Sequence, residues 1–180
     1  LMNNENQVFT HKVDSLKPKK ISVENLSFKY PTSDEYAIKD ISFNISSGNI
    51  VGITGSVGSG KSALALALTG LYDYEGKILL DNVDLNQMEY EQKIANITYM
   101  GHDSFLFSNS LKNNITWEYN DTEKLNKVLN ISSLERDIKG FEKGIDTEVG
   151  EKGTKVSGGQ KQRIALGRAL YKDANIVILD

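Results

Sequence analysis

Two stretches early in the chain alternate apolar and polar positions with the period of two that is typical of a half-buried β-strand. Residues 21–30 show this pattern with an irregularity expected near Asn25, and residues 41–45 repeat it after the polar turn at 31–35. Residues 76–81, 94–100 and 174–179 are short apolar runs that predict three further strands. Strands therefore precede and follow the middle of the chain.

The stretch at 49–62 combines a predicted strand, a glycine-rich turn and a helix start. Residues 49–54 indicate a short buried strand, residues 55–62 read GSVGSGKS, and residues 63–68 are strong helix formers that end near Gly70. The octapeptide matches G-x-x-x-x-G-K-[ST], the P-loop pattern. A glycine-rich turn that matches by chance would not bring the strand and the helix into register as well.

The chemistry of this loop points to phosphate. Glycines allow the tight turn that brings backbone N–H groups close to phosphate oxygens, and the following helix directs its positive end at the anion. Lys61 adds a point charge on the β- and γ-phosphates, and the Ser62 hydroxyl is a ligand for Mg²⁺. The predicted nucleotide-binding residues here are Gly55, Ser56, Val57, Gly58, Ser59, Gly60, Lys61 and Ser62.

After Asp103 the pattern becomes helical, with segments at 110–117, 121–130 and 132–139 that have polar faces. Asp121 begins a helix with acidic residues in its first turn. These segments predict a small helical lobe inserted into an α/β core. The side chains expected to form its core are Leu106, Phe107, Leu125, Val128, Leu129 and Leu134.

A second helix start, at Ser157, predicts a second anion site. The helix is expected to run to about Tyr171, and its Ser-Gly-Gly beginning offers free N–H groups and a hydroxyl. A serine N-cap with a glycine-rich first turn is the alternative explanation. Asp180 follows an apolar strand, which is where a P-loop protein places the Walker B carboxylate that reaches Mg²⁺. The second set of predicted nucleotide-binding residues is Ser157, Gly158, Gly159 and Gln160.

Composition narrows the class of protein only modestly. Hydrophobic residues make up 39% and charged residues 25% of the chain, the formal net charge is −3, and there is no cysteine. These values are those of an ordinary globular protein, and disulfides and thiolate metal sites are excluded. The acidic balance argues against a nucleic-acid surface.

Residues 156–160, VSGGQ, make the resemblance specific. The chain resembles the nucleotide-binding domain of an ABC transporter, whose signature is Leu-Ser-Gly-Gly-Gln, with Val156 in place of leucine. The resemblance runs from about residue 21 to Asp180. It implies an α/β fold: a P-loop NTPase (ABC ATPase) core with an antiparallel β subdomain and an inserted helical subdomain. The implied boundaries are 1–20 linker, 21–102 β subdomain and P-loop core, 103–172 helical subdomain with the signature, and 173–180 Walker B strand.

Further matches resemble ABC exporters in particular. Tyr30 lies where the family has an aromatic residue that stacks on adenine. Residues 147–153 resemble the loop before the exporter signature, and residues 105–115 resemble the segment that receives the coupling helix of the membrane domain. The resemblance therefore implies a transmembrane domain as partner, on the same or a partner chain, and a place at the cytoplasmic face of a membrane.

The resemblance also implies ATP and Mg²⁺ as ligands and a head-to-tail dimer with a second nucleotide-binding domain. In that dimer the P-loop of one subunit and the Ser157 helix of the other enclose ATP, whose hydrolysis powers transport. Lys61 is the implied catalytic cation, Ser62 and Asp180 are the implied metal ligands, and Tyr30 binds adenine. No nucleic acid is expected as a partner.

The Q-loop differs from the family's pattern, and the family's catalytic glutamate lies beyond the last residue of the given sequence. The Q-loop is approximately Pro-Gln-Asp/Glu in the family, but residues 101–103 are Gly-His-Asp, so His102 replaces a glutamine that binds Mg²⁺. The given sequence stops at Asp180, before the family's catalytic glutamate, so this stretch alone is expected to hydrolyse ATP negligibly. Two alternatives stay open: a degenerate, ATP-holding half of a heterodimer, and a soluble ABC ATPase that acts on nucleic acid.

Overall fold

The computed structural model describes residues 17–117, 119, 121–150 and 155–180. Residues 1–16 of the predicted linker and residues 151–153 of the exporter-like loop lie outside this part of the chain. The strands are β1 Lys20–Lys29, β2 Tyr36–Ser46, β3 Glu75–Leu80, β4 Val83–Asp84, β5 Ile97–Met100 and β6 Ile176–Leu179. The α-helices are α1 Lys61–Ala67, α2 Tyr90–Asn96, α3 Leu111–Thr116, α4 Thr122–Ile131, α5 Leu134–Ile138 and α6 Gly158–Tyr171, with 3₁₀ turns at Leu85–Gln87 and Gly144–Asp146.

The early strands form a four-stranded antiparallel sheet in the order β2-β1-β3-β4. The strand that the alternating pattern predicts at residues 21–30 is present as β1, and it is an inner strand, because Val23 pairs with Phe43 on one side and with Ile78 on the other. The irregularity predicted near Asn25 is present, because the register shifts between Val23 and Leu26 and Asn25 has a φ of 50°. Asparagine tolerates this left-handed conformation better than most residues.

Helix α1 packs against this sheet and completes the first hydrophobic core. Burial of branched and aromatic side chains on one face of the sheet is what holds the helix, and hence the loop before it, in place. The fully buried members with the largest side chains are Leu26, Phe28, Ile78, Leu80 and Leu85.

Strands β5 and β6 form a separate two-stranded parallel sheet, in which Met100 pairs with Leu179. Strand β6 buries one face only: Ile176 and Ile178 pack against the first core, while Leu179 is 59% exposed. The prediction of a strand from residue 94 is partly wrong, because residues 94–96 end helix α2. A short apolar run does not distinguish the end of a helix from a strand.

The strand predicted at 49–54 is not formed, which corrects the sequence-based expectation. These residues have no strand assignment, Ile50 is fully exposed, and Val51 and Ile53 are about half exposed at 52% and 50%. A strand is defined by its ladder of hydrogen bonds. No strand in the described part of the chain pairs with this segment.

The helical segments lie where the pattern predicted them and form a second core. The side chains of Ser110, Asp121 and Ser157 accept hydrogen bonds from the backbone of the first turns of α3, α4 and α6, as N-caps do. Five of the six predicted core side chains are buried: Leu106, Leu125, Val128, Leu129 and Leu134. Phe107 is the exception at 42% exposure, because it stacks with other aromatic rings on the surface.

None of the helices in the described ranges is long and apolar enough to cross a bilayer. The domain boundaries at 20, 102 and 172 stay predictions.

Candidate nucleotide-binding site

The P-loop turns through two glycines in the left-handed region. Gly58 has a φ of 80° and Gly60 a φ of 89°. A Cβ atom on Gly60 would lie 2.6 Å from the carbonyl oxygen of Ala37 and 2.6 Å from a methyl group of Ile38. Glycine is therefore required at position 60 for two reasons: the backbone has a positive φ, and residues of β2 leave no room for a Cβ atom.

The side chain of Lys61 folds back over the loop. Its ammonium group donates to the carbonyl oxygens of Gly55 at 2.9 Å and Ser56 at 2.8 Å, and it lies 3.5 Å from the hydroxyl oxygen of Ser59. Within the described part of the chain no carboxylate forms an ion pair with Lys61. The positive charge is therefore held at the mouth of the loop without an anionic partner.

Ser62 and Asp180, separated by 118 residues in sequence, are brought together by the fold. The Ser62 hydroxyl donates to Oδ1 of Asp180 over 2.9 Å. Asp180 is fixed from behind, because its N–H donates to the carbonyl oxygen of Met100 at 2.9 Å and so extends the β5–β6 ladder. A hydroxyl and a carboxylate side by side are a pair of hard oxygen donors. No larger cluster of metal-binding side chains occurs among the described residues.

Tyr99 also contacts Asp180, and the sequence analysis did not identify it. Its phenol donates to Oδ2 of Asp180 over 3.0 Å. Burial first, and then this hydrogen bond to the carboxylate, raise the pKa of Tyr99 to about 12, so the phenol is protonated at neutral pH. The available signal was the period of two in β5, which places Tyr99 on the same face as position 101.

Tyr30 lies just after β1, with its ring 39% exposed. Its ring packs edge-on against Phe28, at 5.4 Å between centroids and 73° between planes. This contact fixes the ring while leaving part of its surface accessible. Val57 and Ser56, at the tip of the loop, are exposed.

The Ser157 helix begins as predicted, and its cap is reciprocal. Ser157 Oγ accepts from the N–H of Gln160 at 3.3 Å, and Gln160 Oε1 accepts from the N–H of Ser157 at 2.9 Å. Gly158 and Gly159 are exposed, and a Cβ on Gly158 would meet nothing within 4 Å. Ser157 therefore caps the helix, as the alternative explanation predicted, and the first turn is still accessible to a ligand.

Asp137 anchors the signature helix from α5, a contact that sequence reasoning missed. Arg163 donates to both of its carboxylate oxygens, from Nε at 2.7 Å and from Nη2 at 3.0 Å, and Gln160 lies 3.4 Å away. The hydrogen bonds from Arg163 lower the pKa of the Asp137 carboxyl. In the described part of the chain, no hydrogen bond joins residues 157–160 to the P-loop.

His102 is exposed in the bend after β5. Among the described residues, no hydrogen bond joins His102 to Ser62 or Asp180, and its role at the site stays a prediction. Its neighbour Gly101 packs under the ring of Tyr99, where a Cβ would lie 3.0 Å from the phenol oxygen.

The two exporter-like segments contact each other away from the P-loop. The N–H of Leu111 donates to the carbonyl oxygen of Thr147 at 2.9 Å, and the N–H of Val149 donates to that of Asn109 at 3.1 Å. The backbone of residues 147–149 thus supports the segment before α3.

An exposed aromatic cluster, formed by Phe105, Phe107 and Trp117, lies on this segment. Neighbouring rings meet edge-on at 5.2 and 5.0 Å, and the guanidinium of Arg168 lies over Phe107 and Trp117 at 5.3 and 5.5 Å. Phe105, Trp117 and Arg168 line an open groove of about 820 Å³. Burial lowers the pKa of Arg168, whose ordinary value is far above neutral, so it stays charged.

Comparison with known proteins agrees with this geometry. The profile of the family described as ABC transporter matches residues 38–180. An ATP-dependent lipid A-core flippase of Pseudomonas aeruginosa is 38% identical over 167 residues, which cover 89% of this chain and 27% of the flippase. The flippase of the same name from Vibrio vulnificus is 34% identical over 180 residues, 98% of this chain and 31% of the flippase.

A plant relative and a solved structure extend the comparison. ABC transporter B family member 21 of Arabidopsis thaliana is 36% identical over 89% of this chain and 13% of its own length. The structure of a bacterial Atm1-family ABC exporter with ATP bound superimposes with a TM-score of 0.84 at 32% identity, covering 92% of this chain and 30% of the exporter.

The chain thus spans less than a third of these relatives, and the part that it spans carries the P-loop, the signature helix and the Walker B strand. The fold predicted from the sequence is confirmed: a P-loop NTPase core with an antiparallel sheet and a helical part. The chain belongs to the ABC transporter family, as its nucleotide-binding domain.

Proposed function

We propose that this domain binds ATP with Mg²⁺ and, in the intact protein, hydrolyses it to power export across a membrane. The observation that carries the proposal is the 2.9 Å contact between Ser62 and Asp180 beside the ammonium of Lys61, which forms no ion pair with a carboxylate of the described residues. Oxygen donors for a divalent cation and a cation for the phosphates are thereby held together at one glycine-rich loop. The similarity to the solved ABC exporter supports the direction of transport.

Mg²⁺ fits the residues present, since it prefers oxygen ligands and usually binds one or two protein side chains plus phosphates. Ser62 Oγ and Asp180 Oδ1 would hold it. When bound, the ion neutralises charge that develops on the phosphate oxygens. Lys61 orients the β- and γ-phosphates, the backbone N–H groups of residues 55–62 enclose them, and the accessible ring of Tyr30 stacks on adenine.

According to this proposal, the second anion site at Ser157 binds the ATP that is held by the P-loop of another domain. Gly158 and Gly159 leave the first turn of a 14-residue helix open to approach. In this chain it shares no hydrogen bond with the P-loop across the described ranges. Two copies, or this domain and a second nucleotide-binding domain, arranged head to tail would place each signature helix opposite the other's P-loop, with ATP between them.

The aromatic cluster is the proposed contact with the transmembrane domain, at the cytoplasmic face of the membrane. Exposed Phe105 and Trp117 line the groove, and exposed Phe107 lies beside them in edge-on contact with both rings. A helix end inserted into the groove would make apolar contact with these rings.

The test is ATP binding and turnover by the intact protein and by two variants. Wild type should bind and hydrolyse ATP. Lys61→Ala should lose both, and Asp180→Asn should keep metal-free ATP binding while turnover falls by about 100-fold, since a catalytic metal contributes several kcal/mol. Equal turnover in wild type and both variants would overturn the proposal.

A degenerate, ATP-holding subunit is the second candidate, because His102 stands where the family has a glutamine. Its signature would be ATP binding by wild type with no turnover, restored by His102→Gln. Salt-dependent DNA binding would instead support the nucleic-acid alternative, which none of the transporter relatives favours.

A further inference from the structure

The register of the β5–β6 sheet places Tyr99 and Asp180 on one face. Tyr99 pairs with Ile178, and side chains alternate along a strand, so the side chain two residues after Ile178 lies on the same face as Tyr99. Position 101 is on this face as well. It is glycine, so no side chain stands between the tyrosine and the carboxylate.

The tyrosine ring occupies the space that a side chain at 101 would take. A Cβ on Gly101 would lie 3.0 Å from Cε1, 3.0 Å from the hydroxyl oxygen and 3.2 Å from Cζ of Tyr99. These distances are shorter than ordinary carbon contacts. The ring therefore lies across the Gly101 backbone, and this path carries its hydroxyl to Asp180.

Each carboxylate oxygen of Asp180 therefore has its own hydrogen-bond donor. Tyr99 donates to Oδ2 at 3.0 Å and Ser62 donates to Oδ1 at 2.9 Å. An exposed carboxylate would otherwise rotate about its terminal torsion, which is broad and roughly two-fold. With Oδ2 engaged by the phenol, Oδ1 is the oxygen turned to the P-loop.

We propose that Tyr99 is a positioning residue for the metal ligand Asp180, and that Gly101 is required because the ring must cross it. The inference rests on the proposed function, since it concerns the Mg²⁺ ligand of that site. According to this proposal, neither Tyr99 nor Gly101 contacts the nucleotide or the metal. Their contribution lies in the orientation of the carboxylate before Mg·ATP arrives.

The experiment measures the affinity of the intact protein for radiolabelled ATP by equilibrium dialysis, once with EDTA and once with excess Mg²⁺. The dissociation constant in EDTA divided by the dissociation constant in Mg²⁺ gives the gain in ATP affinity that the metal provides. Tyr99→Phe should lower this ratio about five- to tenfold, the usual effect of losing one hydrogen bond to a charged group. The dissociation constant in EDTA should not change.

Gly101→Ala is the second variant, because its methyl group displaces the ring while the hydroxyl remains. It should lower the ratio to a similar extent, and the double variant Tyr99→Phe, Gly101→Ala should be no worse than either single one. Tyr171→Phe is the matched control: its hydroxyl donates to the carbonyl oxygen of Tyr119 in the helical part, and the ratio should stay at the wild-type value.

An unchanged ratio in Tyr99→Phe would overturn the inference while leaving the proposed function intact. An equal loss of affinity in EDTA and in Mg²⁺ would also overturn it, since the effect would then be on the fold. Failure of wild type to bind ATP in either condition would instead refute the proposed function.

Discussion

The ammonium group of Lys61 lies 2.8 Å from the carbonyl oxygen of Ser56, so the cation of the P-loop is held by the loop's own backbone. A lysine has three donors. The carbonyl contacts at Gly55 and Ser56 use two of them, and the third, whose contact with Ser59 Oγ is long at 3.5 Å, is left for a phosphate oxygen. The charge is positioned before nucleotide binds. Because these carbonyls are exposed to water, the contacts contribute little to stability but much to orientation.

Replacing Lys61 with methionine separates these two effects. Methionine keeps the apolar stem of this half-buried side chain, so we expect the free energy of unfolding to change by less than about 0.5 kcal/mol, while the dissociation constant for ATP rises at least about tenfold. Urea denaturation and calorimetric titration give the two quantities. Lys77→Met, on strand β3, is the control and should bind ATP normally; equal affinity of the two variants would contradict the prediction.

Gly60 and Gly58 form a matched pair for the cost of a side chain in the P-loop. Both have a positive φ, but a Cβ on Gly60 would lie 2.6 Å from Ala37 O, whereas one on Gly58 meets nothing within 4 Å. Gly58→Ala should cost about 1 kcal/mol for the left-handed backbone alone, and Gly60→Ala about 2–5 kcal/mol because the clash is added. Urea denaturation measures both, and equal destabilisation would show that the sheet does not constrain the loop.

The ion pair of Asp137 with Arg163 predicts a dependence of stability on pH. Arg163 lowers the pKa of the folded Asp137 below its ordinary value of 3.8, so the stabilisation is present above pH 3.8 and is lost as pH falls through the folded pKa. Asp137→Asn should therefore be about 1 kcal/mol less stable than wild type at pH 7, and the difference should disappear as the pH falls through the lowered pKa of the folded carboxyl. Denaturation at a series of pH values checks this, and a difference that grows in acid would reverse the assigned sign.

Glu135→Gln is the control for that series, since it removes an exposed carboxylate from the same helix without an ion pair in the described part of the chain. Its stability should follow wild type at every pH.

Arg168 should not tolerate lysine. Its guanidinium donates to the carbonyl oxygens of Asn114 at 2.7 Å and Phe105 at 2.9 Å, and it lies over Phe107 and Trp117. An ammonium can neither reach all of these oxygens nor stack as a plane, so Arg168→Lys should cost about 1–3 kcal/mol. Trp117 is the chain's one tryptophan, and its fluorescence reports both the unfolding transition and the local change. Stability and emission equal to wild type would contradict the prediction.

The sequence by itself determined the elements whose signals are local. The P-loop, the alternating strands β1 and β2, and the helices that begin after Ser110, Asp121 and Ser157 were all predicted, because periodicity, capping and glycine placement act over a few residues. The family resemblance was determined in the same way, by VSGGQ and GSVGSGKS. These motifs require particular residues at fixed short spacings.

Only the tertiary structure decided how distant residues meet. Residues 49–54 have the composition of a buried strand, yet no described strand pairs with them, since pairing is supplied by neighbours in space rather than by propensity. The nucleotide-binding site likewise depends on contacts between residues that are distant in the sequence. Asp180 reaches Ser62 and Tyr99 because parallel pairing of β5 with β6 sets the register, and a register between strands some 80 residues apart is fixed by packing that no local pattern encodes.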